Sequence, residues 1–549
     1  MKWIACLLLL APSSGYPQIR FDEITQQAGI HFQLNNGAHG QFHQLELMPG
    51  GVAVFDFDND GCLDIYFTNG AALPSLRKTG PEFYNRLYKN NCNLTFTDVT
   101  EKAGVAGDGY SMAVATADYD NDGYTDIFVA GANRNILYRN RGNGKFEDVT
   151  QKAGLAVTHP KYGKMWATSA GWLDYNNDGR LDLFISNYVV WNPRTEPHCG
   201  AADQALYCHP DNYQGLPNQL FRNNGDGTFT DVSTRSGIGN YIGKGMGVAF
   251  ADVNGDGYTD IFVANDSVRS FLFENQRDGT FKEAALEYCV ALREDGSAIA
   301  GMGVDVRDIN NDGLPDVFVT GMINDTFLLF RNLGKGRLFA DETMHSRLAV
   351  VTRQLTGWSA GVYDFDNDGW KDLFSANSHF PQLGRYMGRN SELPNSVFRN
   401  LGNGRFEDVS PMAGTDFQRA AMHHGAAFGD FDNDGKVDVV VSVLNGPAKL
   451  FRNVSAGGNH WLGVRLVGSR NNRDGIGAQV RVMLPDGTTL HNHATTSVGY
   501  ASSSESVVHF GLGKSDLVQE IEVRWPGGST RKVYGMKPDT IITIREGDK

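Results

Sequence analysis

Aspartates recur in this chain at a spacing that can do chemistry. The nine-residue pattern Asp-x-Asp/Asn-x-Asp-Gly-x-x-Asp begins at Asp56, Asp118, Asp174, Asp252, Asp308, Asp364 and Asp430. Oxygen side chains at positions one, three, five and nine, with Gly at six permitting a sharp turn, wrap hard oxygens around a cation, and position seven adds its backbone carbonyl. That is calcium chemistry. The first copy offers Asp56, Asp58, Asp60 and Asp64 with the carbonyl of Cys62, and the second Asp118, Asp120, Asp122 and Asp126 with that of Tyr124. In the third stand Asp174, Asn176, Asp178 and Asp182 with Arg180; in the fourth Asp252, Asn254, Asp256 and Asp260 with Tyr258; in the fifth Asp308, Asn310, Asp312 and Asp316 with Leu314. The sixth has Asp364, Asp366, Asp368 and Asp372 with Trp370, and the seventh Asp430, Asp432, Asp434 and Asp438 with Lys436. Asn replaces one carboxylate in the third to fifth copies, which predicts weaker binding there.

The loops begin like an EF-hand, but position twelve lacks a bidentate Glu (it is Phe67 in the first copy), and β-favouring residues follow. They link strands. Asp fills 25 of the ligand positions, out of 63 acidic residues in a chain of net charge −14, and about seven divalent ions would balance that excess. An acidic chain also excludes nucleic acid and anionic membrane as main partners, since both need a basic footprint. Magnesium suits the loops less, because it keeps its water. Ions in seven similar loops would stabilise the fold rather than catalyse.

The elements that must hold these loops repeat with them. Intervals between copies are 62, 56, 78, 56, 56 and 66 residues, a 56-residue unit with insertions. Each unit reads as four short strands: an apolar segment such as Gly247–Phe250, the acidic loop, a run such as Asp260–Val263, a Leu-Phe-Arg-Asn type segment, a Gly-rich turn, and a Phe-Thr-Asp-Val type strand. With 65 glycines to make turns, four-stranded units in series predict an all-β fold, a seven-bladed β-propeller over residues 18–457. The seventh unit lacks its fourth strand after Leu450–Asn453, and Phe21–Thr25 near the N-terminus supplies the missing pattern, so the N-terminal strand closes the propeller and removes an open edge. From residue 458 to 549, alternating runs such as Trp461–Leu466 and Ile521–Trp525 predict a small antiparallel β domain.

The repeats resemble the FG-GAP/VCBS units of integrin α-subunit heads. The tail, from Gly475-Ile476-Gly477-Ala478 through His509–Gly513 to Val523–Gly528, is similar to the ASPIC/UnbV module. Together they resemble the cartilage-acidic-protein-like family over nearly the whole mature chain, which implies an exported, calcium-binding propeller with a C-terminal β module.

The N-terminus predicts export. Lys2, the apolar run Trp3–Ala11 and Pro12-Ser13-Ser14-Gly15 have the order of a secretory signal, set at residues 1–17, so the mature chain is expected to be secreted, extracellular or periplasmic. No other apolar run approaches membrane-spanning length. With Cys6 removed, Cys199 and Cys208 are expected to form a disulfide in an inserted loop; the flanking His198 and His209 make a four-ligand metal site the rival reading. Propeller topology places Cys62 beside Cys92 as a second disulfide and leaves Cys289 free. Asn93, Asn265, Asn324 and Asn453 begin Asn-x-Ser/Thr sequons.

Topology puts the acidic loops on one face and the insertions Ser186–Gln219 and Asn377–Asn395 on the other, where Tyr188, Trp191, Asp266, Asp325, His379, His423 and His424 are expected to be exposed. The leading reading is a calcium-stabilised scaffold that binds a protein or glycan through that opposite face. No catalytic motif stands out. The alternative is an enzyme using copper, zinc or iron held by His379, His423 and His424, between the propeller face and the C-terminal module. In that module His491 and His493 alternate along one strand.

Overall fold

The computed structural model describes residues 19–201, 204–334, 338–382, 388 and 390–548. The proposed signal, residues 1–17 with Cys6, lies outside the described residues.

Strands dominate, and seven four-stranded antiparallel sheets each carry one acidic loop between their first and second strands. The first sheet runs Val52–Phe55, Asp64–Phe67, Arg86–Asn90 and Phe96–Asp98. The last combines His423–Gly429, Asp438–Val443 and Lys449–Asn453 with the N-terminal strand Phe21–Glu23, where Phe21 pairs with Asn453. The inner strands are buried at nearly every position, as short apolar runs flanked by turns should be when sheets pack on both faces. Each inner strand touches the next along the series, and Val52–Phe55 also touches His423–Gly429. The arrangement is propeller-like.

Asparagines tie neighbouring sheets together. Asn140, at the end of a third strand, donates to the Phe57 carbonyl in the preceding acidic loop at 2.7 Å, and Asn90 reaches Phe431 in the same way at 3.2 Å. Within the loops, Asn59 donates to the Gly123 carbonyl of the next loop at 2.8 Å. These bonds satisfy carbonyls that the tight turns leave without a ladder partner.

The C-terminal sheets differ from expectation in one respect. His460–Val467 pairs antiparallel with Val508–Gly513 but parallel with Thr540–Arg545. A parallel pair needs a long crossover, and here residues 468–539 form it.

Both expected disulfides are present, Cys62–Cys92 and Cys199–Cys208, and among the described residues Cys289 is the free, exposed cysteine. The bridge between Cys199 and Cys208 decides against a zinc site there, because its sulfurs are bonded to each other. Asn93 and Asn324 are exposed, whereas Asn265 and Asn453 are fully buried, Asn453 donating to the Phe365 carbonyl at 2.9 Å. In the folded chain only Asn93 and Asn324 are accessible as glycan acceptors.

Candidate metal sites and the face that covers them

Each acidic loop is built by its own carboxylates. Asp56 accepts the Asp60 and Gly61 amides at 3.2 and 2.8 Å, and Asp64 accepts those of Phe57 and Asn90 at 3.0 and 2.8 Å. The second loop repeats this through Asp118 and Asp126. Positions one and nine therefore shape the turn, and position five joins them by accepting the amide of position seven, as Asp60 does from Cys62 and Asp122 from Tyr124.

The four loops with Asp at every ligand position gather three carboxylates within metal-sharing distance: Asp56, Asp58 and Asp64; Asp118, Asp120 and Asp122; Asp364, Asp366 and Asp372; Asp430, Asp432 and Asp438. The position-three residues Asp58, Asp120, Asp366 and Asp432 each keep one buried oxygen without a hydrogen-bond donor. An orphan carboxylate oxygen aimed into a ring of carboxylates fits a bound cation. Burial pushes Asp64 and Asp118 up to about 8 and Asp174 and Asp430 up to about 7, which is the cost of holding anions in these turns without an ion. Calcium bound there would supply that balancing charge.

A third-strand cation, not read from the sequence, partly balances these loops. Arg399 meets Asp366 at 2.8 Å and Asp368 at 2.5 Å, Arg139 meets Asp120 at 2.6 Å, Arg452 meets Asp432 at 2.6 Å, and Lys89 pairs with Asp58 and Asp60. The signal was present as the Arg of the repeated Leu-Phe-Arg-Asn segment.

Residue patterns matching FG-GAP-like repeats cover 56–129, 118–185, 205–263, 252–319, 308–375 and 364–441, and an ASPIC and UnbV pattern covers 468–549. The chain belongs to the FG-GAP-like repeat family and carries an ASPIC and UnbV segment. Among curated relatives of this FG-GAP protein, human cartilage acidic protein 1 is 26% identical over 513 residues, covering 90% of this chain and 71% of the relative. Integrin alpha-4 of Xenopus laevis is 26% identical over 152 residues, 25% of this chain and 14% of the integrin. Among solved structures, an Agrocybe aegerita lectin specific for non-reducing terminal N-acetylglucosamine aligns with a TM-score of 0.41 at 17% identity, covering 79% of this chain and 97% of the lectin.

The ASPIC and UnbV segment lies on the acidic loops. Asp474 accepts the Asp118 amide at 2.8 Å, Glu505 that of Asp430 at 3.2 Å, and Gln479 approaches Asp252 at 3.4 Å. His509 bonds the Gly435 carbonyl at 2.9 Å, and His493 bonds that of Phe250 at 3.0 Å. A cavity of about 280 Å³ remains between this segment and the fourth and fifth loops, lined by Asp252, Asp308, Arg481 and His491 among others.

One stretch of the segment goes deeper. Residues 497–505 run among the inner strands of the repeats: Ser503 exchanges bonds with Val52 and Val54, Gly499 with Val304, and Glu505 donates to Phe428, at 2.8–3.2 Å. The amides of Ala501 and Tyr500 donate to the hydroxyl oxygens of Ser169 and Ser359, each at 3.1 Å. A narrow run of Ser, Gly and Ala with no period reads as a loop, and it is buried because its backbone satisfies the inner strands.

The opposite side departs from expectation. Tyr188, Trp191, Asp266, His379, His423 and His424 are all buried, and Asp325 is half-buried. The insertions fold back as a cover: Glu196 pairs with His43, Tyr207 donates to Glu46 at 2.7 Å, and Tyr188 donates to Asp266 at 2.6 Å. The three histidines are not brought together as a metal-capable group among the described residues. His379 bonds the Thr356 hydroxyl at 2.8 Å, His423 the Leu393 carbonyl at 3.0 Å, and His424 the Pro49 carbonyl at 3.1 Å while stacking on Trp358 at 4.0 Å. Burial holds His423 down at about 4 and His424 at about 3.

Proposed function

We propose that this protein is an exported, calcium-stabilised interaction scaffold: a seven-bladed propeller over 18–457, closed by the N-terminal strand, with a C-terminal β module over 458–549. The single observation that carries the metal reading is the orphan position-three oxygen in each all-Asp loop. Closure is supported by the pairing of Phe21–Glu23 with Lys449–Asn453 and by contact between the first and last inner strands. Export is supported by the two disulfides, and among the described residues no helix is long and apolar enough to cross a membrane.

The partner, a protein or a glycan, meets the insertions that cover the face opposite the calcium loops. Calorimetric titration of the metal-free chain tests the metal reading, with about seven calcium ions expected. Capture of an extracellular partner by the calcium-loaded chain, and its loss when residues 192–212 are shortened, tests the scaffold reading. Equal capture by the shortened chain would contradict it.

A further inference from the structure

The position-six glycines of the acidic loops form the floor on which the C-terminal module rests. A Cβ on Gly435 would lie 2.0 Å from the Trp461 ring, and one on Gly179 would lie 2.2 Å from the Arg470 carbonyl oxygen. Gly123, Gly257, Gly313 and Gly369 likewise face the module within 4 Å, whereas Gly61 of the first loop faces nothing within that distance. Six of the seven loops thus touch the module through the turn that shapes their ligand ring.

The module also brings charge. Asp474 and Glu505 add two carboxylates directly at the first residues of the second and seventh loops, and Arg473 approaches Asp118 at 3.8 Å with its guanidinium half exposed. Arg139 and Arg452 supply one positive charge each to loops that carry four Asp, so bringing a further anion onto each is unfavourable without an additional cation. A divalent ion in the loop reverses that sign, and its fixed ligand ring presents the amides of Asp118 and Asp430 to their acceptors.

We infer that ion binding in the acidic loops and docking of the C-terminal module are one coupled equilibrium, with Asp474 and Glu505 as positioning residues and the 497–505 segment as the part released when the ions leave. The inference rests on the metal reading proposed above. Coupling is reciprocal: if ions favour docking, docking tightens ion binding by the same factor. The inner strands would then lose the backbone partners that 497–505 supplies, so metal removal would uncover a set of unpaired amides and carbonyls at the centre of the repeats.

Hydrogen exchange on the full chain tests this. With calcium, peptides covering 497–505 should exchange slowly. After chelation, verified by elemental analysis, their exchange should rise about tenfold or more while peptides from second strands such as Asp260–Asn265 stay protected. Unchanged protection of 497–505 in a chain shown to have lost its calcium would overturn the coupling and leave the metal reading intact. A chain that never binds calcium would instead fail at the metal reading. Should chelation remove protection everywhere, the reciprocal variant decides: Tyr500→Ala, checked for folding by circular dichroism, should raise the calcium concentration at half-saturation about threefold or more. An identical titration would overturn the inference.

Discussion

Tyr500 donates its hydroxyl to the carbonyl oxygen of Met48 at 2.6 Å, joining the C-terminal segment to the N-terminal region through the middle of the repeats. Both groups are buried, and Tyr500 also packs its ring 5.5 Å from that of Trp358. The N-terminal region therefore meets later parts of the chain twice, here and where Phe21 pairs with Asn453 of the seventh repeat.

Removing only that hydroxyl leaves the Met48 carbonyl without its donor. Tyr500→Phe should cost about 1–2 kcal/mol, and Tyr500→Ala about 3–5 kcal/mol because a cavity is added. Chemical unfolding of both variants checks the order. Equal losses would mean that the ring's packing contributes nothing.

Gly435 and Gly61 occupy the same position in two loops, with φ of 83° and 87°. Gly61→Ala should cost only the left-handed strain of about 1–2 kcal/mol. Gly435→Ala must in addition displace Trp461, and its loss should be at least twice as large, with Trp461 emission shifted to the red. Similar stabilities for the two variants would contradict the docked arrangement.

Asp366 has no exposed side-chain surface and pairs with Arg399. Asp366→Asn removes one of the two carboxylates that pair with Arg399, whose side chain is only 10% exposed and which keeps Asp368, a change of about 1–2 kcal/mol, and it gives the sixth loop the position-three Asn of the third to fifth loops. Calcium should bind the sixth loop more weakly, as in the loops with Asn at position three, and calorimetric titration should show one site of lowered affinity beside the lower stability.

Acid should act through the buried histidines. The folded-state value for His424 lies at about 3, below the about 6.5 of an unfolded histidine, so between these values only the unfolded chain takes up the proton. Stability from this group is complete above about 6.5 and is lost as the pH falls. From pH 7 to pH 5 the natural chain should lose about 2 kcal/mol more than His424→Gln, measured by urea unfolding at saturating calcium. Parallel pH dependences would show that His424 is solvated.

Much of this was legible in the sequence because the repeat carries its own local rules. Asp and Gly at fixed spacing specify the turn, alternating runs specify the strands, and the missing fourth strand after Asn453 pointed to Phe21. Cys62 and Cys92 followed from that topology. The positions that could not be read are those decided by contact between distant segments. Tyr188, Asp266 and His424 sit at strand ends, where topology alone suggests exposure, but the insertions fold back over them. Residues 497–505 carry no periodic signal, since their environment is the inner strands of several repeats at once.

Calcium held in the acidic loops should set the stability of the folded chain. The measurement is thermal unfolding of the purified protein before and after metal removal, confirmed by elemental analysis. Each site at a hundredfold excess of ion over its Kd adds about 2.7 kcal/mol, so loss of several ions should lower Tm by about 10 °C or more, and added calcium should restore it. An unchanged melt in a chain stripped of metal would show that the loops hold no stabilising ion.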